Sequence, residues 1–156
     1  MIEIDIPGFG EVRLAHAVLD FNGTLARDGV LEPGIRERID ALAAVVRIHV
    51  VTADTFGRVA AETAGLPVEL HRVAGGREAE AKAVVVERLG ARGVVAIGNG
   101  NNDRRMLRAA RLAVAVAGPE GMARAAREAA DVIVPDAPAA LDLLLHPLRL
   151  KATLRT

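Results

Sequence analysis

HAVLDFNGTL, residues 16–25, is the stretch on which the reading of this 156-residue chain turns. An apolar run, Ala17-Val18-Leu19, ends at a carboxylate, Asp20, and Asn22-Gly23-Thr24 turns the chain back. In an open α/β sheet, ligands collect at the carboxyl ends of the strands, where loops and helix N-termini converge. Asp20 is therefore expected at a binding edge. Taken alone, Asn-Gly between apolar residues is also the strongest short-range hairpin signal. Two later stretches favour the first reading. VVTADTFG (residues 50–57) and VVAIGNGNND (residues 94–103) repeat the design of a β-rich apolar run closing in Thr, Asp, Asn and Gly. Three such strand ends could converge on one site.

Outward from this stretch, apolar and acidic residues alternate over 2–6, Pro7, Gly8 and Gly10 break the run, and 11–14 resumes it, which predicts a hairpin with one buried face. Arg27-Asp28-Gly29 reads as a second tight turn. Pro33 opens a helix whose apolar positions Ile35, Ile39, Leu42 and Val46 recur at helical spacing. Strand 47–52 follows, then a helix to about 64, capped by Asp54 or Thr55 and stopped by Gly65. The pattern continues as strand 67–73, helix 77–89 with Ala81, Val85 and Leu89 on its apolar face and Lys82 between faces, and strand 94–97. Helix 102–111, strand 112–116, helix 119–129, strand 131–134 and helix 137–145 complete it. Alternating strands and helices with apolar strands predict a mostly parallel sheet between two helical layers. Residues 1–156 are expected to form a single domain, with 1–14 as an N-terminal hairpin extension.

Half of the residues are hydrophobic, and 20 basic residues balance 20 acidic ones. A neutral chain without a basic stripe gives no electrostatic reason to expect nucleic acid or an anionic membrane as partner. Cysteine is absent, so disulfides and thiolate metal sites are excluded. The N-terminal segment lacks the basic start and apolar middle of a signal peptide, and no apolar run reaches spanning length. A cytoplasmic location is the expectation. Lys82 and Lys151 are the only lysines. The four histidines, His16, His49, His71 and His146, show no metal-ligand spacing and read as packing or surface residues.

A carboxylate at a strand end beside the amides of a Gly-containing turn suits phosphate chemistry. It can attack phosphorus or ligate a hard cation such as magnesium, while the turn's amides hold phosphate oxygens. Thr52 would bring a hydroxyl to the same edge, Lys82 a point charge and Asp103 a second carboxylate.

DFNGT at 20–24, Thr52 in VVTADTFG, Lys82 in AEAKAVVVERLG and GNGNND at 98–103 stand in the order and rough spacing of the four motifs of the haloacid dehalogenase (HAD) superfamily. Over its whole length the chain resembles that superfamily, and within it the small capless proteins labelled soluble P-type ATPases. The resemblance implies a Rossmann-like three-layer α/β/α fold without a cap domain, acting on a phosphorylated small molecule or protein with Mg2+. It implies that Asp20 is the nucleophile and a metal ligand, that the carbonyl of Asn22 is a second ligand, and that Asn99 and Asp103 complete the metal positions. Thr52 and Lys82 hold the transferred phosphoryl group. Phe21, Asn22, Ala53 and Asn102 complete the phosphate-binding set.

Two positions depart from the family pattern. Asn22 stands where an Asp usually serves as general acid and base, and an amide can do neither; loss of such a group costs about 10² to 10⁴ in rate. Asn99 replaces another Asp, which keeps an oxygen ligand but removes a charge, so magnesium should bind more weakly. The expected activity is therefore a slow magnesium-dependent phosphohydrolase or phosphotransferase. The alternative is a regulatory module that keeps the phosphate and metal pocket with little turnover. The short segments between Asp20, Thr52 and Lys82 leave no room for a cap or for the nucleotide-binding domain of a pump. An open site and the Leu-rich run 143–154 lead us to expect a homo-oligomer.

Overall fold

The computed structural model describes residues 1–54 and 57–156. β1 (Ile2–Ile6) and β2 (Gly10–Leu14) form the expected antiparallel hairpin. The chain then enters β3 (His16–Asp20) and turns through a two-stranded ribbon, β4 (Ala26–Arg27) and β5 (Val30–Leu31). Asp28 and Gly29 at the ribbon's tip both have positive φ, 51° and 80°, matching the turn that suits right-twisted strands. There follow α1 (Ile35–Ala43), β6 (Arg47–Thr52), α2 (Val59–Glu62), β7 (Val68–Arg72), α3 (Glu78–Arg88) and β8 (Val94–Gly98). A 3-10 turn over Asn101–Asp103 leads to α4 (Arg104–Ala109), β9 (Leu112–Val116), α5 (Arg124–Ala129), β10 (Val132–Val134), α6 (Ala137–Leu145) and α7 (Pro147–Leu154).

Six strands make one parallel sheet in the order β10-β9-β8-β3-β6-β7. The strand ending at Asp20 lies at its centre, flanked by the strands ending at Thr52 and Gly98. Side chains alternate across a strand, so Ala17, Leu19, Ile48, Val50, Val95 and Ile97 enter one core while Val18, Val51, Val94 and Ala96 enter the other. The larger core is closed by the hairpin, α1, α6 and α7, and the smaller by α3, α4 and α5. Arg38 of α1 donates two hydrogen bonds to Asp142 of α6, at 2.8 and 3.0 Å, tying the first layer together. No cap is inserted: residues 21–46 hold only the ribbon and α1.

Four readings need correction. The buried face of α3 is Ala79, Lys82, Ala83 and Val86, so Lys82 sits at the middle of it and not between faces. Small Ala side chains on both sides let the helix approach closely enough for Lys82 to reach through. The helix read over 119–129 begins only at Arg124, because Gly121 adopts φ 84° and interrupts the turn. α2 is a single turn ending at Glu62. The N-cap position of α2 is Arg58, not Asp54, although Asp54 accepts from the first helical amide, that of Val59, at 3.1 Å; Thr55 lies outside the described residues. Beyond Pro147 the chain forms an additional helix, α7, which buries Leu150 against the core and packs on β1.

Candidate active site

The parallel register brings Asp20, Thr52 and the 98–103 loop to one edge of the sheet, and α3 delivers Lys82 to them. The Lys82 ammonium donates to Asp20 Oδ1 at 2.6 Å and to Asp103 Oδ1 at 2.7 Å. All three groups are out of water: Lys82 is 1% exposed, Asp103 0% and Asp20 4%. A buried charge is tolerated only when paired, and one cation between two carboxylates leaves the cluster short of positive charge. Burial, and then the neighbouring Asp103 carboxylate, push the Asp20 carboxyl up to about 7 against the pull of Lys82. The two carboxylates in turn hold the Lys82 ammonium above its usual range, although burial opposes them.

Asp103 Oδ2 accepts from the backbone amides of Asn99 and Gly100, at 2.9 and 2.8 Å. Its carboxylate thus folds the loop beneath it. Gly98 makes this approach feasible, since a Cβ there would lie 2.6 Å from Asp103 Cγ. The Thr24 hydroxyl lies 3.1 Å from Asp20 Oδ2 and 3.2 Å from Asn99 Oδ1, and Asn99 Nδ2 donates to the Gly121 carbonyl at 3.1 Å. The Asn99 oxygen is thereby turned toward Asp20. Thr52 is 2% exposed, and its oxygen accepts from the Asp54 amide at 2.9 Å, which leaves the hydroxyl proton free to donate. Asn22 Oδ1 is buried without a hydrogen-bond partner among the described residues.

The structure thus gathers Asp20, Lys82, Asn99 and Asp103, with Thr52 and Asn22 ending or following adjoining strands. Phe21 buries its ring in the larger core, so only its backbone faces the turn. Ala53 is half-buried just past β6, and Asn102 is exposed on the 3-10 turn. Sequence reasoning passed over Thr24 and Glu120. Thr24 was legible in the DFNGT motif as the hydroxyl nearest the carboxylate. Glu120 lies over Gly23, where a Cβ would come within 2.8 Å of its carboxylate, and nothing in the local sequence announced it.

The chain is 48% identical over 62 residues to the uncharacterised protein MJ0073 of Methanocaldococcus jannaschii, spanning 40% of this chain and 67% of that one. It is 42% identical over 38 residues to MJ0072 of the same organism, covering 24% and 86%. The chain belongs to the family of these archaeal proteins. No family model matches it. Among solved structures it is similar to the cobalt-bound deoxy-D-mannose-octulosonate 8-phosphate phosphatase of Haemophilus influenzae, with a TM-score of 0.73 at 16% identity over 92% of this chain and 94% of that one. The corresponding enzyme of Moraxella catarrhalis, solved with magnesium, phosphate and a KDO molecule, gives 0.70 at 17% identity over 85% and 86%. A hydrolase of Streptomyces avermitilis assigned to the HAD family gives 0.65 at 24% identity over 84% and 82%. The chain has the haloacid dehalogenase fold. Within the HAD fold, the capless arrangement seen here leaves the Asp20 edge uncovered by any inserted domain.

Proposed function

We propose that the protein is a magnesium-dependent phosphohydrolase or phosphotransferase that works through an aspartyl-phosphate at Asp20. The observation that carries this reading is the Lys82 ammonium held between Asp20 and Asp103 at the carboxyl edge of a HAD sheet. The donor set fits a hard cation. Asp20 Oδ2, Asn99 Oδ1 and the Thr24 hydroxyl cluster as oxygen atoms, and magnesium prefers oxygen donors together with several waters. Asp20, the backbone carbonyl of Asn22 and Asn99 would hold the ion, with Asp103 close by through Lys82. When bound, it would neutralise charge on the transferring phosphoryl group and favour the ionised form of Asp20.

The reaction then follows from the chain's own groups. The Asp20 carboxylate attacks phosphorus, the bond to the leaving oxygen breaks, and the electron pair departs with that oxygen. Lys82 has one N–H beyond the two it gives to carboxylates, and Thr52 has a free hydroxyl proton; both are available to phosphoryl oxygens. Asn22 cannot protonate the leaving group, so solvent must. Water then attacks phosphorus, the Asp20–phosphorus bond breaks, the carboxylate returns, and the water's proton passes to solvent or to the departing phosphate because no side-chain base takes it. Without a base at Asn22 this second half is slow, and phosphoenzyme accumulates. The open edge suits a phosphorylated small molecule or protein as substrate, and a second copy could cover it. Among the described residues, no helix is long and apolar enough to cross a membrane.

Burst kinetics with an aryl phosphate and magnesium test the proposal. A burst stoichiometric with enzyme, absent in Asp20→Asn, is expected. A linear trace unaffected by Asp20→Asn removes it. Phosphate and magnesium binding without turnover would support the regulatory-module reading, for which the amide at Asn22 is the motivating observation.

A further inference from the structure

Away from Asp20, three of the four histidines meet on the sheet. His49 sits in β6 between Ile48 and Val50, which enter the larger core, so it points to the opposite face. In β7, Glu69 and His71 are two residues apart on that same face, and the register sets His49 directly beside Glu69. His49 Nδ1 lies 3.0 Å from His71 Nε2 and 3.4 Å from a Glu69 carboxylate oxygen. The ligand atoms of His49, Glu69 and His71 all lie within 4.8 Å of one another. On the other side, His49 Nε2 is 3.0 Å from His16 Nδ1.

We propose that His49, Glu69 and His71 form a binding site for a zinc-type divalent ion, separate from the phosphoryl site. Two imidazoles and a carboxylate, with a position left for water, are a recognised zinc donor set. Metal–nitrogen distances of about 2.0 to 2.1 Å put tetrahedral donors about 3.3 to 3.4 Å apart, close to the two separations from His49 Nδ1, 3.0 Å to His71 and 3.4 Å to Glu69, while Glu69 and His71 lie within 4.8 Å of each other and the exposed Glu69 side chain is free to close in. Without metal the rings can form a relay, His71 Nε2–H donating to His49 Nδ1 and His49 Nε2–H to His16 Nδ1, with the exposed Glu69 carboxylate in water. A cation would replace the His71 proton and give His49 Nδ1, His71 Nε2 and Glu69 a common partner. Ligation at Nδ1 also forces the remaining proton onto His49 Nε2, which then donates to His16. His16 becomes the positioning residue that fixes the tautomer and ring orientation. The ion would pin edge strand β7 to β6, the strand that carries Thr52.

The test uses the full chain, freed of metal with chelator and titrated with zinc chloride by calorimetry. With magnesium in excess to occupy the Asp20 site, one zinc per chain is expected, with affinity at least tenfold weaker in His71→Ala and in Glu69→Gln, both at positions exposed enough to leave the core intact. Zinc should raise the melting temperature by about 8 °C at a hundredfold excess over Kd. Imidazole nitrogen spectra of the unmutated protein should show His49 fixed as the Nε2–H tautomer on zinc addition, a readout that does not depend on any variant folding. Absence of zinc binding, unchanged His49 resonances, or equal affinity in wild type and both variants would overturn the proposal. The last result would place the ion elsewhere, at Asp20 and Asp103.

Discussion

On the proposed mechanism, a single amide decides how fast the Asp20 site turns over. Asn22→Asp places a carboxylate two residues from Asp20 at almost unchanged volume, and steady-state turnover is expected to rise by about tenfold or more, within the range general acid–base groups supply. Acid-quench trapping should show less phosphoenzyme at the same time. A second prediction isolates Asp20. Its folded-state value, about 7, lies above the ordinary carboxylate value, so the stability it contributes is full below about pH 4 and is lost as pH rises toward 7. Asn mimics the protonated carboxyl. In the absence of divalent ions, the melting temperature of Asp20→Asn relative to wild type should climb between pH 4 and 7 and level off above. Circular dichroism is the probe, since the chain has no Trp or Tyr. At this scale the four motifs pointed to Asp20, Thr52, Lys82 and Asp103, and the fold places all four at one edge of the sheet. They did not name Glu120, which reaches Gly23 only because the chain returns there about a hundred residues later.

At the scale of elements, legibility followed periodicity. β6 and β9 fall on the residues that their apolar runs delimit, because a buried parallel strand reads as a continuous apolar stretch. α3 was misread at its face because a lysine normally counts as polar, and only the carboxylates of two other elements make its burial feasible. The histidine cluster was invisible for a related reason. Its members share a face through the register of β3, β6 and β7, and register is not written in one-dimensional spacing. Gly98→Ala tests how tightly one such element is fitted. The added methyl would collide with Asp103, so a loss of about 1 to 3 kcal/mol is expected by chemical denaturation, with far-UV circular dichroism retained before the transition. Phosphoenzyme formation should fall with it, because the Asp103 carboxylate could no longer hold both Lys82 and the loop.

For the whole molecule, the missing cap is the governing fact. With only the ribbon and α1 after Asp20, nothing inserted there screens a substrate by size, so a phosphorylated protein is expected to be dephosphorylated at a rate comparable with an aryl phosphate in parallel assays. The leucines at the C-terminal end are largely accounted for within the chain: Leu150 is buried and Leu154 packs on the core, leaving Leu148 outside. The lysine inventory has a further use in chemical labelling. The chain offers amine-reactive reagents three targets, the N-terminus, Lys151 and Lys82, and the last is sealed behind two carboxylates. Acylation of the folded protein should stop at two sites, so slow appearance of a third in the mass spectrum would time the opening of the Asp20 edge without a substrate or engineered probe.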